Sequence, residues 1–428
     1  MLSQEFISTI SGPPLAANTA ISKDAGIYSH SLTPSHTIKA TFKKSSTPVN
    51  GLAVSQTHIF TAQDQKAHVH VYSRQRGNQE ALVPFPERIR SLALVGQVLV
   101  VGSTEGRLFL WETCTGRQVS TPPCHVQAVS CLAVTPYHIL SGSDDSNINV
   151  WSLSRLLELD AQVEQEPDLT LSNHRGAITS LAVSPGTNPE TSICVSASKD
   201  KTCIIWNYQT GQLLRTLLFP SFPLCARLDP SARALFVSSE AGAVYLVELF
   251  GGDKPLLGSR STELPSIVVQ INDPLAVSDP ELGQPSCLAL TYDGTSILSG
   301  HTKGKILRWT LTENAHPTEV ANLNTSVTNL CFMPSLSTEQ PTKTVSIVKP
   351  NLGLNRYNFT AQLTTDLGEK TRLDHLLETN GFPSQSLETA ISSMTALSDD
   401  QQDDELARQD AQFRAIINNC NLLQNPTS

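Results

Sequence analysis

The chain contains no run of about eighteen apolar residues, so nothing in it has the length and character of a membrane-spanning helix. It has no surplus of positive charge. Its 30 Lys and Arg stand against 39 Asp and Glu, a net charge of -9, which removes any global electrostatic case for nucleic-acid binding. No Cys-x-x-Cys occurs, and Cys124-His125 has no second half at zinc spacing, so neither a metal nor any other cofactor is expected. The cysteines number nine, an odd count, and Cys131, Cys194, Cys203, Cys287 and Cys331 fall in apolar alternations where cysteine serves as a small core residue. A reduced, intracellular protein is expected. The opening residues, MLSQEFISTISGPP, have neither a basic stretch nor a long apolar one, so no signal peptide is expected. No strong nuclear-import cluster is present either, since Lys43-Lys44 is too short. What remains is 428 residues, 39% hydrophobic, enough for one large domain or two ordinary ones with a substantial core.

What is present is repetition. Residues 124–151, CHVQAVSCLAVTPYHILSGSDDSNINVW, read as an apolar alternation, a turn, a small-residue strand, an acidic tight turn at Asp144-Asp145 and a strand closing on Trp151. The pattern recurs at 178–206, 89–111 and 287–309, and more weakly at 49–72 and 225–247. The copies end at Tyr72, Trp111, Trp151, Trp206, Val247 and Trp309, mostly about forty residues apart. A period near forty with four short strands per unit points to an all-β WD40 β-propeller. Each blade is a four-stranded antiparallel sheet with two faces to bury, which is why the strands run apolar and β-branched.

In the best copies a polar set recurs. His125, Ser141, Asp145 and Trp151 fill the positions of the WD40 His–Ser–Asp–Trp network, and His174, Ser196, Asp200 and Trp206 fill them one unit later. The turn aspartate can accept backbone and imidazole donors, and the indole N–H reaches the serine. Ser, His and Asp together invite a hydrolase reading. It is rejected because the set repeats in adjacent units, as structure does and an active site does not. No catalytic residue is expected.

The two ends complete the ring. Strand-like pieces at 6–10, 26–31 and 37–42 are expected to share a composite blade with 327–333 and 344–349. Six contiguous blades and the composite make seven, or eight if each end builds more than half a blade. Two insertions interrupt the period, at about 152–173 and 250–286. In the first, Leu153, Leu156, Leu157, Leu159, Ala161 and Val163 suggest a short helix of about three turns on the rim, either an ordered loop or a partner-docking element. The second reads as loop, with 267–271 a candidate outer strand for the blade ending near Val247. Arg74, Arg76, Arg88, Arg90, Arg107 and Arg117 fall within 44 residues. They are either solvated loop arginines or a local patch for RNA phosphate or an acidic partner.

The blade pattern stops at about residue 360, giving a propeller over 1–360 and a C-terminal α-helical extension over 361–428. Helical stretches are expected at 371–379 and 385–397. After an acidic break, Leu406, Phe413, Ile416, Cys420 and Leu423 occupy heptad a and d slots, with Gln409 the one polar residue among them. Ser398 is a reasonable N-cap. The stripe is read as an oligomerisation or partner helix, against the alternative of a helix folded back on the propeller.

Beyond the repeat itself, the linker and insertion text is distinctive. Residues 70–94 (HVYSRQRGNQEALVPFPERIRSLAL), 106–153 and SRLLELDAQ at 154–162 closely resemble the fungal WD-repeat pre-rRNA-processing family. The likeness extends over essentially the whole chain. It implies a non-enzymatic subunit of a nuclear complex, in nucleoplasm and nucleolus, acting on pre-60S precursors of the large ribosomal subunit. It implies partner subunits including a helical-repeat scaffold, processing of the second internal transcribed spacer, and engagement of a very large AAA-type remodelling ATPase. It also implies self-association through the C-terminal helix. No membrane partner is expected. The rival readings are a substrate receptor for ubiquitin ligation, for which no partner box is seen, a nuclear scaffold in DNA replication, and a propeller enzyme, which would need carboxylates or metal ligands converging on the channel.

Overall fold

The computed structural model describes residues 4–12, 25–33, 35–43, 46–158, 165–184, 192–251, 255–257, 268–292, 294–311, 317–333, 358–359 and 361–363. Short β-branched runs, cut by turns rich in Asp, Ser, Asn and Gly, leave each strand too short to stand alone, so consecutive strands fold back as meanders. They assemble into seven antiparallel sheets, the blades. From the inner strand outward, blade 2 is Leu52–Val54, His58–Ala62, His68–Ser73 and Gln79–Pro84. Blade 3 is Ile89–Val95, Val98–Ser103, Leu108–Glu112 and Arg117–Ser120. Blade 4 is Cys131–Val134, His138–Gly142, Ile148–Ser152 and Leu169–Leu171. Blade 5 is Ile178–Val183, Ile193–Ser198, Thr202–Asn207 and Gln212–Leu218. Blade 6 is Pro223–Leu228, Ala234–Ser239, Ala243–Glu248 and Ala276–Val277, and blade 7 is Pro285–Leu290, Ser296–His301, Lys305–Thr310 and Thr318–Asn322. Each inner strand touches the inner strands of its two neighbours, which closes the ring.

Closure is made by blade 1. Its inner strand is Val327–Phe332, and outside it lie Glu5–Ile10, Ala25–Ser31 and Thr37–Lys43. The two ends of the propeller therefore share one sheet, and residues 344–349 lie outside the described residues. Alternation along Glu5–Ile10 aims Phe6 and Ile10 at the core shared with blade 7, and Ile7 at the core shared with blade 2. All three are fully buried. Ser8 and His30 hydrogen-bond across the same sheet at 2.7 Å, and Asn329 Nδ2 donates to Thr9 Oγ1 at 2.9 Å and to the Pro48 carbonyl at 2.8 Å.

Burial, and then the neighbouring His36, push the His30 imidazole down to about 3. The unfolded chain binds that proton near pH 6.5, so between about 6.5 and about 3 the unfolded state is the better proton acceptor. Stability is expected to be complete above about pH 6.5 and to fall on acidification by about 1.4 kcal/mol per pH unit from this group. His30→Gln should flatten that slope in urea titrations run at several pH values. An unchanged slope would mean the imidazole does not titrate this way.

Three features depart from the expected layout or add to it. Residues 268–270 do not form the outer strand of the blade ending near Val247. They pair in parallel with Gln212–Leu218 as a fifth strand of blade 5, while Ala276–Val277 closes blade 6. The reason is hydrophobic: Leu257, Val269 and Ile271 pack into the seam between blades 5 and 6, which draws the insertion back over the earlier blade. In the rim insertion, α1 (Leu153–Leu156) is a single turn that buries Leu156 beside Trp151, and residues 159–164 lie outside the described set. Last, Asn358–Phe359 add a fifth strand to blade 3 and Leu363 enters the core between blades 2 and 3, past the expected boundary at 360. The expected helical stretches at 371–379 and 385–397 and the stripe of Leu406, Phe413, Ile416, Cys420 and Leu423 lie outside the described residues.

Candidate interaction surfaces

In a four-stranded meander the connections alternate between the two ends of the sheet. The outer-to-next-inner connections and the turns between second and third strands lie at one end, here the upper face. The remaining turns form the lower face. Hydrogen bonds between neighbouring upper loops confirm the grouping: Thr104 N–H donates to the Arg88 carbonyl at 2.9 Å, and Cys124 N–H to the Gly106 carbonyl at 3.0 Å. Gly106 must be glycine. Its φ is +81°, and a Cβ would sit 2.1 Å from the His125 carbonyl oxygen.

The two polar networks stitch upper loops to the blades behind them. In blade 4, Trp151 Nε1–H donates to Ser141 Oγ at 3.1 Å, and Ser141 Oγ lies 2.9 Å from His125 Nε2. His125 Nδ1 lies 3.2 Å from Asp145 Oδ2, which also accepts from the Val126 N–H at 2.9 Å. An indole can only donate and a carboxylate can only accept, so the chain of donors runs from Trp through Ser and His to Asp. Blade 5 repeats this more tightly. Trp206 reaches Ser196 at 2.9 Å, Ser196 reaches His174 at 2.8 Å, and His174 Nδ1 reaches Asp200 Oδ2 at 2.9 Å. Asp200 accepts further from Arg175 N–H, Thr202 N–H and Thr202 Oγ1, at 2.9, 3.0 and 2.6 Å. Burial acts to raise the Asp200 carboxyl, but the bonds from His174, Thr202 and Arg175 outweigh it and hold it well below the usual carboxylate range. At His125 burial wins over the nearby Asp145 and lowers the imidazole. Ser141 and Ser196 are fully buried, and each hydroxyl oxygen is already engaged by an indole. Both hydroxyls are thus closed off from solvent inside their blades.

The same logic appears in altered form elsewhere. Trp309 donates to Ser299 at 2.7 Å, and Ser299 meets His301 on its own strand rather than a histidine from the preceding connection. The ten-residue Ser–Trp spacing of 141/151 and 196/206 is repeated at 299/309, so this network was findable in the sequence. Blade 3 has Val101 where that serine would stand. There Trp111 Nε1–H donates instead to the Ala361 carbonyl at 3.0 Å, and Gln362 Nε2 donates to the Cys114 carbonyl at 2.8 Å. A segment 250 residues downstream thus supplies the acceptor the blade lacks.

The six clustered arginines do not form one surface. Arg74, Arg76 and Arg117 belong to the lower face. Arg74 donates to the carbonyls of Ser55 and Gln56, Arg76 pairs with Glu80, and buried Arg117 pairs with Glu112 and caps α1 at the Leu157 carbonyl. Arg107, on the upper face, is held by Glu87 at 3.0 Å. Among the described residues, Arg88 and Arg90, also upper, have no ion pair or side-chain hydrogen bond. Sequence adjacency misled because successive turns of a meander point to opposite ends.

Two further features complete the surfaces. A central cavity of about 100 Å³ is lined by Asn50, Leu92, Cys131, Leu181, Arg227 and Leu330. Asn50 Nδ2 spans its upper end, donating to the carbonyls of Ser130 and Thr179 at 3.1 and 3.3 Å. Among the described residues no group of three or more His, Cys, Asp or Glu side chains is placed to hold a metal ion. Burial raises the thiols of Cys131 and Cys287 to about 12 and that of Cys124 to about 11, so these stay protonated and unreactive.

Comparison with known proteins adds the family context. The WD40 model (WD domain, G-beta repeat) matches residues 116–152 and 165–207. Pre-rRNA-processing protein IPI3 of Yarrowia lipolytica is 32% identical over 257 residues, 59% of this chain and 59% of that protein. Pre-rRNA-processing protein crb3/ipi3 of Schizosaccharomyces pombe is 24% identical over 64% of this chain and 67% of its own length. Pre-rRNA-processing protein IPI3 of Candida albicans is 24% identical over 62% of each. The matched stretch thus spans less than two thirds of the Yarrowia and Candida relatives' own length.

Proposed function

We propose that this chain, a seven-bladed WD40-repeat β-propeller related to the fungal pre-rRNA-processing proteins, takes part in pre-rRNA processing as a non-catalytic scaffold. The observation that carries the reading is the run of similarity to several proteins of that name in different fungi. The structure supports the scaffold half. A closed ring of interlocked blades holds two faces and a rim at fixed geometry, and the Ser–His–Asp sets that would suggest hydrolysis are sealed in the blades.

In the finer reading the chain is a nuclear subunit acting on precursors of the large ribosomal subunit, needed for removal of the second internal transcribed spacer. Its partners would be other subunits of that complex, including a helical-repeat scaffold, and the AAA-type remodelling ATPase. The propeller runs to about residue 360, and the extension beyond it, with its heptad stripe from Leu406 to Leu423, serves self-association. A tagged pull-down from cell extract, comparing the full chain with a truncation ending at Thr395, tests this. The full chain is expected to bring down large-subunit precursors with a small set of stoichiometric partners, and the truncation to lose self-association. Recovery of ubiquitin-ligase subunits instead, or of no partner, would overturn it.

A further inference from the structure

Among the described residues, every lysine or arginine whose side chain makes neither an ion pair nor a hydrogen bond lies on the upper face. On the lower face and rim the cations are spent on carboxylates or carbonyls, as Arg74, Arg117, Arg155 and Arg233 are. Three of these cations gather where blades 5 and 6 meet, one of them over an exposed aromatic ring. Arg175 lies on the connection into blade 5, Lys199 and Lys201 flank Asp200 in its upper turn, and Phe222 lies on the connection into blade 6. All three cations are exposed, and Phe222 is 37% exposed.

We propose that this junction binds single-stranded RNA, with Arg175, Lys199 and Lys201 on successive phosphates and Phe222 beneath a base. The choice of RNA rests on the pre-rRNA reading above; the choice of site rests on geometry. The three loops form one rigid plate. Arg175 N–H donates to Asp200, Lys199 N–H to the Ala177 carbonyl at 3.0 Å, Phe219 N–H to the Lys201 carbonyl at 2.9 Å and Glu240 N–H to the Phe222 carbonyl at 2.9 Å. Gly176 lies flush on the turn, where a Cβ would come 2.8 Å from Asp200 N. Lys201 is fixed in the left-handed region at φ 67°, and its ammonium stands 5.7 Å from the centre of the Phe222 ring. Rigid bases with free charged ends, one of them over an exposed aromatic ring, suit a backbone of phosphates with an unstacked base. The acids in the same loops are Asp200, whose carboxylate is turned into the blade by His174 and Thr202, and Glu240; Asp144 lies on the next upper turn. A chain with a net charge of -9 has reason to confine phosphate contacts to one such place.

The probe is a fluorescein-labelled oligouridine of about 20 nucleotides, read by anisotropy with the full chain at several salt concentrations. With three phosphate contacts, the log–log salt slope for wild type should be about -2. The triple variant Arg175→Glu/Lys199→Glu/Lys201→Glu should bind at least about thirtyfold more weakly, with that slope largely gone. Phe222→Ala should bind about five- to a hundredfold more weakly with its slope kept. These side chains are exposed, so the variants should melt with the wild type, and that is checked first. Equal binding by the triple variant overturns the proposal. So does loss of binding by Arg74→Glu/Arg76→Glu on the lower face instead. If oligoglutamate displaces the RNA and Phe222→Ala has no effect, the site is one for an acidic protein segment and the RNA assignment falls. The pull-down separates the two claims. A triple variant that still recovers precursor particles but binds wild-type levels of oligouridine removes the site and leaves the function. A wild-type chain that recovers no precursor, while the triple variant alone loses oligouridine, leaves the site and removes the function.

Discussion

Replacing Ile7 with aspartate is expected to destabilise the whole propeller by about 4 kcal/mol or more. Ile7 lies on the strand Glu5–Ile10, held between Val327–Phe332 on one side and Ala25–Ser31 on the other. Among the described residues, no other strand joins the two ends of the ring. Its side chain is fully buried with Ile27, Phe42, Ile59, Tyr72 and Met333, in the seam where blade 1 meets blade 2. A carboxylate there meets no cation in that cluster, and burying an unpaired charge is among the costliest single changes. The loss should spread beyond one blade. Without the closing strand, the cores shared with blades 7 and 2 both open to water. Ile7→Val removes one methylene and should cost about 1 kcal/mol. Urea unfolding followed by the fluorescence of the buried tryptophans measures both. The idea fails if the aspartate variant keeps the wild-type midpoint, for the strand would then not be what closes the ring.

Asp200→Ala is expected to cost about 3 kcal/mol, more than Asp145→Ala. Removing the Asp200 carboxylate leaves His174 Nδ1 and the N–H groups of Arg175 and Thr202 without their acceptor. Asp145 stands 3.2 Å from its histidine and has no threonine hydroxyl on its second oxygen, so less is lost with it. The pH dependence has a definite sign. The folded Asp200 carboxyl is held below its unfolded value of about 3.9, so its contribution is present above about pH 4 and is lost as pH falls through the folded value. Asp200→Asn keeps the shape and one acceptor and should fall between alanine and wild type. Thermal melts at neutral and acidic pH settle the ranking. If Asp200→Ala and Asp145→Ala cost the same, the extra donors at Asp200 contribute nothing measurable. If the cost of Asp200→Ala does not shrink on acidification, its charge is not the cause.

The serine–tryptophan pairs show how far local pattern carries. At 141/151 and 196/206 the spacing alone places an indole over a hydroxyl, because a tight turn between two paired strands fixes which residues face each other. The arginine cluster shows where it stops. Arg74 and Arg88 lie fourteen positions apart yet at opposite ends of the propeller, because one strand and two turns separate them. In the other direction, Arg175, Lys199, Lys201 and Phe222 are spread over 48 positions and carry no shared motif. Only the stacking of blades brings them to one plate.

The repeat, the blade unit and the pairing of the propeller's two ends were determined by the sequence itself. Period-2 burial, turn residues and short strand length leave a meander few other ways to bury both faces. Tertiary structure alone decided where residues 268–270 and 358–363 would go. Both are short pieces without a repeat of their own. Their places were set by what the ring left unfilled: a seam between blades 5 and 6 open to Val269 and Ile271, and an indole on blade 3 with valine where its serine would be. Such vacancies exist only once the blades are assembled, so no local reading of the chain contains them.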